Sequence, residues 1–440
     1  MPSAPRLHRL AAALSLTVLV GGCDAIGGFT AALSGDCDAY ASTYLSELEA
    51  GGALASTVPD TPEGFAMGLV LNQRAVNDLF QRLGDTELPE LSQGIPVPVL
   101  GDVTLAVQPS LPTLGIGGDA SCVDCFRADV PFSISVGLGG APAQVASGLL
   151  GAQMPLGMRP AADQKTALVA SFQSMQVTRL DVTLGENPGS VVNAIVDQIE
   201  PVSEALLTRY LQDRFEDAKV ATFDTWALGD GEVLLAGRGP YVFPESETIV
   251  IAMQSNLVLP STPFAQARLD EQARLPEGAD LGVIFDPGIL LSMTRRMHYE
   301  GVIPQDYDVA GQSVSGGGSA LTFKSMSAEP DGLLRAAATL YRTDNLCGTA
   351  DVSAALGLTV EPGTFAFSVR DFSITDGQGL GSLFSEDSWL TGPFVDQLLT
   401  TLDFTVNYDQ IFGGEALEQG NMSAFQANID ARGVSVFFNL

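Results

Sequence analysis

Five cysteines, two histidines and 52 carboxylates are the residues of this chain with the most chemistry to offer. Cys122-Val123-Asp124-Cys125 has the spacing of half a zinc site or of a redox pair. Zinc takes about four Cys or His ligands, yet beyond residue 22 there is one histidine, His298, and no second C-x-x-C. A thioredoxin-type pair needs a strand–helix–strand setting, and none surrounds this one. The lone histidine also bears on hydrolysis. No G-x-S-x-G elbow accompanies it, and H-E-x-x-H cannot be written with a single histidine. P-loop and EF-hand patterns are missing, and Ser315-Gly316-Gly317-Gly318-Ser319 lacks the following Lys-Ser/Thr of a phosphate cradle. Among so many acids, two carboxylates close in sequence mean nothing. No catalytic set, metal set or cofactor motif emerges, and the chain reads as a non-enzyme. His298 reads as a structural histidine, satisfied or exposed, and Trp226 and Trp389 as packing residues.

One cysteine stands apart. Arg6, His8 and Arg9 precede an apolar run from Leu10 to Val20 that ends in Val20-Gly21-Gly22-Cys23. A basic start and roughly eleven apolar residues make a secretory signal, too short to span a bilayer. An aliphatic residue and two small ones before a cysteine match the bacterial lipobox. Residues 1–22 therefore read as a lipoprotein signal peptide and Cys23 as the lipid anchor, since more than one acyl chain suffices for stable attachment. The expected place is the cell envelope, at the outer membrane on its periplasmic or surface side. Cys37, Cys122, Cys125 and Cys347 then meet an oxidising compartment and are disulfide candidates, with three connectivities open.

Composition narrows the class. The formal charge is −31, and removing residues 1–22 takes two arginines and leaves −33. The only lysines are Lys165, Lys219 and Lys324. Nucleic acid and anionic lipid head groups are thus poor main partners, because both need clustered Lys and Arg. With 46% apolar residues, 47 Gly and 25 Pro, the chain is neither a disordered polyelectrolyte nor a long-helix protein. It reads as turn-rich and strand-rich.

The elements repeat. After a loosely patterned stretch over 24–64, Met67-Gly68-Leu69-Val70-Leu71-Asn72-Gln73 leads into Val76, Leu79, Phe80 and Leu83 at helical spacing. The same syntax returns in Leu281-Gly282-Val283-Ile284-Phe285-Asp286-Pro287, followed by Leu290, Met293 and Met297 on one helical face. Asn72 and Asp286 sit where N-caps belong, and Pro287 suits a first helical turn. A second pair of helices carries Val192, Ile195, Val196 and Ile199 in one half, with Pro201 placed to kink it, and Val395, Leu398, Leu399 and Leu402 in the other. Alternating strands lie between. Two of them change parity: Met175 and Val177 give way to Leu180, Val182 and Leu184, and Phe367 and Val369 to Phe372 and Ile374. Such a switch implies a bulge or a swap of the buried face. Tyr241-Val242-Phe243 and Ile249-Val250-Ile251 lie at the junction, where both halves could share a sheet.

Taken in order, Ile249 to Pro304, the late helix at Gly392-Pro393-Phe394-Val395 and the closing Val434-Ser435-Val436-Phe437-Phe438 resemble the second domain of the bactericidal/permeability-increasing protein and related lipid-transfer proteins, the TULIP superfamily. Leu69 to Leu83 and Val191 to Phe215 resemble the helices of the first domain. The likeness spans residues 65–440 and rests on the order of weak features.

The resemblance implies an α+β fold of two tandem domains, each a curved antiparallel sheet wrapped around a long amphipathic helix and joined by a central sheet. The expected division is a tether over 23–64, an N-terminal domain over 65–243 and a C-terminal domain over 244–440. It also implies that the fifteen helix-stripe residues from Val76 to Leu402 named above face phospholipid or other acyl-chain lipid in apolar pockets. The implied protein binds or shuttles lipid from its tether and needs no cofactor. A structural or adhesive surface lipoprotein on the same scaffold is the alternative. The strongly cationic, endotoxin-binding character of the best-known member does not carry over to a chain of −33.

Overall fold

The computed structural model describes residues 37–58, 67–83, 90–97, 101–138, 143–160, 166–185, 189–214, 218–223, 226–228, 231–258, 273–308, 312–343, 347–361, 364–379, 404–407, 423–430 and 433–439. Among the described residues four α-helices form: α1 (Cys37–Gly52), α2 (Gln73–Leu83), α3 (Gly189–Arg214) and α4 (Pro287–Tyr299).

The expected α+β class is corrected by what these residues form. Strands take 57% of them and helices 22%, the sheets are curled, and no long helix is wrapped by a sheet. The only long described helix, α3, runs on through Pro201 and keeps Asp197, Glu200, Arg209 and Asp213 exposed along its length. Enclosure would strand those charges away from water at high cost. Helical spacing dictates which face is buried; it does not make a sheet close over the other face.

A six-stranded antiparallel sheet draws on both ends of the chain. Its order is Leu235–Phe243, Thr248–Ser255, Met67–Asn72, Leu281–Phe285, Gly433–Asn439, Ser423–Asp430. That order reads the same from either edge: two equivalent strands at the middle, each flanked by a hairpin, the first of which (Leu235–Phe243 with Thr248–Ser255) straddles the expected division at 243/244. Leu281–Phe285 and Thr248–Ser255 are buried residue after residue, because Leu69, Ile251 and Val283 enter the main core while Val70, Val250 and Ile284 pack on the other face. A strand covered on both sides needs continuous rather than alternating apolar residues.

The two strands at the middle launch helices in the same way. Asn72 Oδ1 accepts from the Ala75 amide at 2.8 Å at the head of α2, and Asp286 Oδ1 from the Gly288 amide at 2.7 Å at the head of α4. Each cap satisfies an amide that the first turn would otherwise leave open.

Each half then builds its own antiparallel sheet. The first runs Leu91–Val97, Gly101–Pro109, Cys125–Gly137, Ala143–Pro160, Thr166–Ala170, Ala218–Phe223, with Gln176–Leu184 beside Ala143–Pro160. The second runs Asp306–Tyr307, Ser319–Ala328, Leu334–Arg342, Gly348–Glu361, Thr364–Gly379, Phe404–Asn407. Both parity switches are bulges. Pairing jumps from Gly151↔Arg179 to Ala152↔Val177, leaving Thr178 as the extra residue, and from Ala355↔Asp371 to Leu356↔Val369, leaving Arg370.

Among the described residues two disulfides form, Cys37–Cys347 and Cys122–Cys125. The first ties the start of α1 to the second half of the chain. Of the stretch expected to be a tether, residues 37–58 are therefore folded onto the body, with the Ala55 amide donating to Asn256 O at 2.8 Å.

Candidate functional site

Two features of the described residues could hold a guest. The first is apolar. On the Gln176–Leu184 strand, Val177, Leu180, Val182 and Leu184 touch the main core yet stay only half-buried, while Thr178, Arg179, Asp181 and Thr183 are exposed. On α3, Val202, Leu206 and Tyr210 behave alike. The Thr364–Gly379 strand repeats the pattern in the other half, with Val369, Phe372 and Ile374 half-buried beyond the fully covered Phe367. These are apolar faces with an incomplete protein cover.

The helix-stripe residues divide differently. Val76, Val192, Ile195, Ile199 and Leu290 are buried inside the main protein core, which takes up their surface fully. Met293 and Met297 are half-buried, the first against that core and the second against a smaller one built on Leu291, Tyr307, Leu321 and Leu340. The side chains of Leu79, Phe80, Leu83 and Val196 lie outside the described residues, as do Cys23, Val395, Leu398, Leu399 and Leu402 altogether.

The second feature is polar. Strand Ser319–Ala328 sends Leu321 and Phe323 toward α4, and Ala320 and Thr322 toward α1. Its register slips between Phe323 and Ser325, so Lys324 is the bulged residue. The freed carbonyls of Phe323 and Lys324 accept from Arg295 Nε at 2.7 Å and from Arg295 Nη2 at 3.0 Å. The Lys324 ammonium pairs with Glu47 Oε1, whose Oε2 accepts from Thr322 Oγ1 at 2.7 Å and Tyr341 OH at 2.8 Å. Burial pushes the Glu47 carboxyl up, but the hydrogen bonds from Lys324, Thr322 and Tyr341 outweigh it and hold the group below the usual carboxylate range. Gly51 and Gly52 let α1 approach α4 closely; a Cβ at Gly52 would stand 2.1 Å from the Tyr299 ring.

A cavity of about 200 Å³ opens where α1, α4 and Thr322–Lys324 meet, with Glu47, Gly51, Arg295, His298, Thr322 and Lys324 among its lining residues. The imidazole is 2% exposed, stands edge-on to Phe323 at 5.8 Å, and donates to the Pro304 carbonyl. Its Nε2 has no hydrogen-bond partner. Burial drives its pKa down to about 4, so the ring is neutral at physiological pH. The sequence reading of a satisfied or exposed histidine is therefore corrected: His298 is buried and half-satisfied. The rest of this cluster escaped sequence reasoning. The one signal for α1 was the four-residue spacing of Tyr40, Tyr44 and Leu48, which share one packed face.

No protein-family model matches the sequence, and no curated protein matches it. Among solved structures, the chain aligns with P47 of Clostridium botulinum E1 at 9% identity and a TM-score of 0.40, over 86% of this chain and 99% of that one. It aligns with P47 from Clostridium botulinum A2 at 10% identity and 0.42, over 86% and 98%. A lipopolysaccharide binding protein aligns at 10% identity and 0.37, over 86% and 99%. Scores below 0.5 at such identities do not establish a common fold.

Proposed function

We propose that this chain is an exported lipoprotein, held in the cell envelope by acyl chains on Cys23, whose body binds acyl-chain lipid as a carrier rather than an enzyme. The observation that supports it is the half-covered apolar strand face found once in each half: Val177, Leu180, Val182 and Leu184, and Val369, Phe372 and Ile374. Apolar area left to water costs about 25 cal/mol per Å², and a hydrocarbon chain laid along either face would remove that cost. Hiding a sixteen-carbon chain from water is worth on the order of 12 kcal/mol at roughly 0.8 per CH₂. A bilayer hides it equally well, so uptake and release both run near balance and need no energy source.

Lipid extraction and mass spectrometry on protein purified from its own host without detergent tests the binding. A stoichiometric acyl lipid supports the carrier. Lipid-free protein that takes nothing up from vesicles supports a second reading, a structural surface lipoprotein. That alternative is favoured by the complete burial of Val192, Ile195 and Ile199 in protein. The tether is tested separately: Cys23→Ala should move the protein into soluble fractions, and persistent membrane association contradicts it.

A further inference from the structure

The polar cavity between α1, α4 and the bulge at Lys324 reverses the charge balance of the molecule. Across the chain acids outnumber Lys and Arg 52 to 21. The ionised groups at this cavity are Arg295, Lys324 and Glu47, an excess of one cation. Glu47 is already committed, taking donors from Lys324, Thr322 and Tyr341. Arg295 faces no carboxylate within ion-pair distance among the described residues. Its Nε and one Nη2 hydrogen are fixed by two backbone carbonyls, which orients the planar guanidinium and leaves its other N–H donors for something else. The one carboxylate acting on this half-buried guanidinium, Glu47, is shared with Lys324, so the cluster keeps an unbalanced positive charge.

His298 is incomplete in the opposite sense. With one ring nitrogen donating to Pro304, the neutral imidazole presents Nε2 as an acceptor, and that atom is buried without a donor. Buried polar atoms nearly always have a partner, so each exception needs an explanation. The cavity thus asks for anionic oxygens at Arg295 and Lys324, whereas the His298 Nε2 is closed off from space a water could enter and takes no part. Its volume of about 200 Å³ equals roughly seven waters at about 30 Å³ each. That is room for a phosphate or a small head group.

We propose that this cavity binds a phosphate group, with Arg295 and Lys324 taking its oxygens. The site stands independently of the acyl-chain reading, since it lies on other residues and requires no hydrocarbon. Inorganic phosphate and a phosphoglycerol head group share this chemistry.

Isothermal titration of the full chain with inorganic phosphate, glycerol 3-phosphate and dihexanoyl phosphatidylglycerol separates the sources. We expect one saturable site per chain for at least one probe, with Kd below about 1 mM. Glycerol 3-phosphate or the short-chain lipid binding better than inorganic phosphate assigns a head group; the reverse order assigns the free ion. Arg295→Met should weaken binding at least about tenfold. Because that variant also uncaps two carbonyls, Lys324→Gln serves as the second: it should weaken binding about fivefold, while Tm reports separately the loss of its pair with Glu47. Arg209→Gln, an exposed control, should change nothing. No saturable binding of any probe, or binding that Arg295→Met and Lys324→Gln both leave unchanged, overturns the site.

Discussion

Leu69 and Val283 face each other as antiparallel partners in the middle of the central sheet. They are also equivalent positions in the two repeated segments, Met67–Gln73 and Leu281–Pro287. Around this pair the register is symmetric: Met67 faces Phe285 and Leu71 faces Leu281. The flanking hairpins follow, with Thr248–Ser255 beside one segment and Gly433–Asn439 beside the other. A local two-fold therefore relates the halves, and each middle strand is the other's partner. Neither half can complete this sheet alone.

The hairpin at the far end depends on one glycine. Gly433 has φ +135°, and a Cβ there would lie 2.1 Å from the Phe285 carbonyl oxygen. Gly433→Ala should lower stability by about 2–3 kcal/mol, read as the midpoint of urea denaturation. An unchanged midpoint would mean that the strand ends separate freely.

At the other contact between distant segments, Gly52→Ala should push α1 off Tyr299 and cost about 1–3 kcal/mol. The same change should break the Arg296 bond to the Gly52 carbonyl, so protection of α1 amides from hydrogen exchange should fall while the central sheet stays protected.

The two disulfides should differ sharply in worth. Cys37 and Cys347 are 310 residues apart, Cys122 and Cys125 three. Loop-closure entropy makes the long bridge more stabilising by roughly 4 kcal/mol. Serine pairs at each site, compared by thermal denaturation, should show a large loss for Cys37/Cys347 and a small one for Cys122/Cys125. Equal losses would contradict the docking of α1 by its bridge.

The two ends of α4 should respond oppositely to acid. Burial raises the Asp286 carboxyl from 3.8 to about 6, so its folded form holds the proton more tightly and stability falls as pH rises from about 4 to 6. Burial lowers His298 from 6.5 to about 4, so its contribution is complete above 6.5 and is lost as pH falls toward 4. Relative to wild type, Asp286→Asn should gain stability from pH 4 to 6, and His298→Gln should lose the acid-side decline. Tm measured across pH 4–7 checks both; parallel profiles for all three proteins would refute it.

What the sequence disclosed follows from the range of each interaction. The caps at Asn72 and Asp286, and the bulges beside Val177 and Val369, are local and could be read from spacing alone. The repeat of Met67–Gln73 in Leu281–Pro287 placed two equivalent strands, because continuous apolar runs mark a sheet covered on both faces. The sheet wrapped around a long helix was misjudged, since the apolar stripe of α3 says nothing about where Asp197 and Arg209 point. The polar cluster stayed hidden for a different reason. Glu47 meets Tyr341 across 294 residues, and Tyr44 meets the Gln305 carbonyl across 261. No periodicity reports contacts that only the closed fold creates.

The carrier reading is tested most directly by where a lipid tail lies. Incubating the protein with a phospholipid bearing a photoactivatable group in its acyl chain, followed by peptide mass spectrometry, should place crosslinks on 176–184 and 364–379. Leu180→Asp and Phe372→Asp should each abolish the crosslinks in their own half. Crosslinks absent from both strands, or scattered over exposed loops and untouched by these substitutions, would contradict the account.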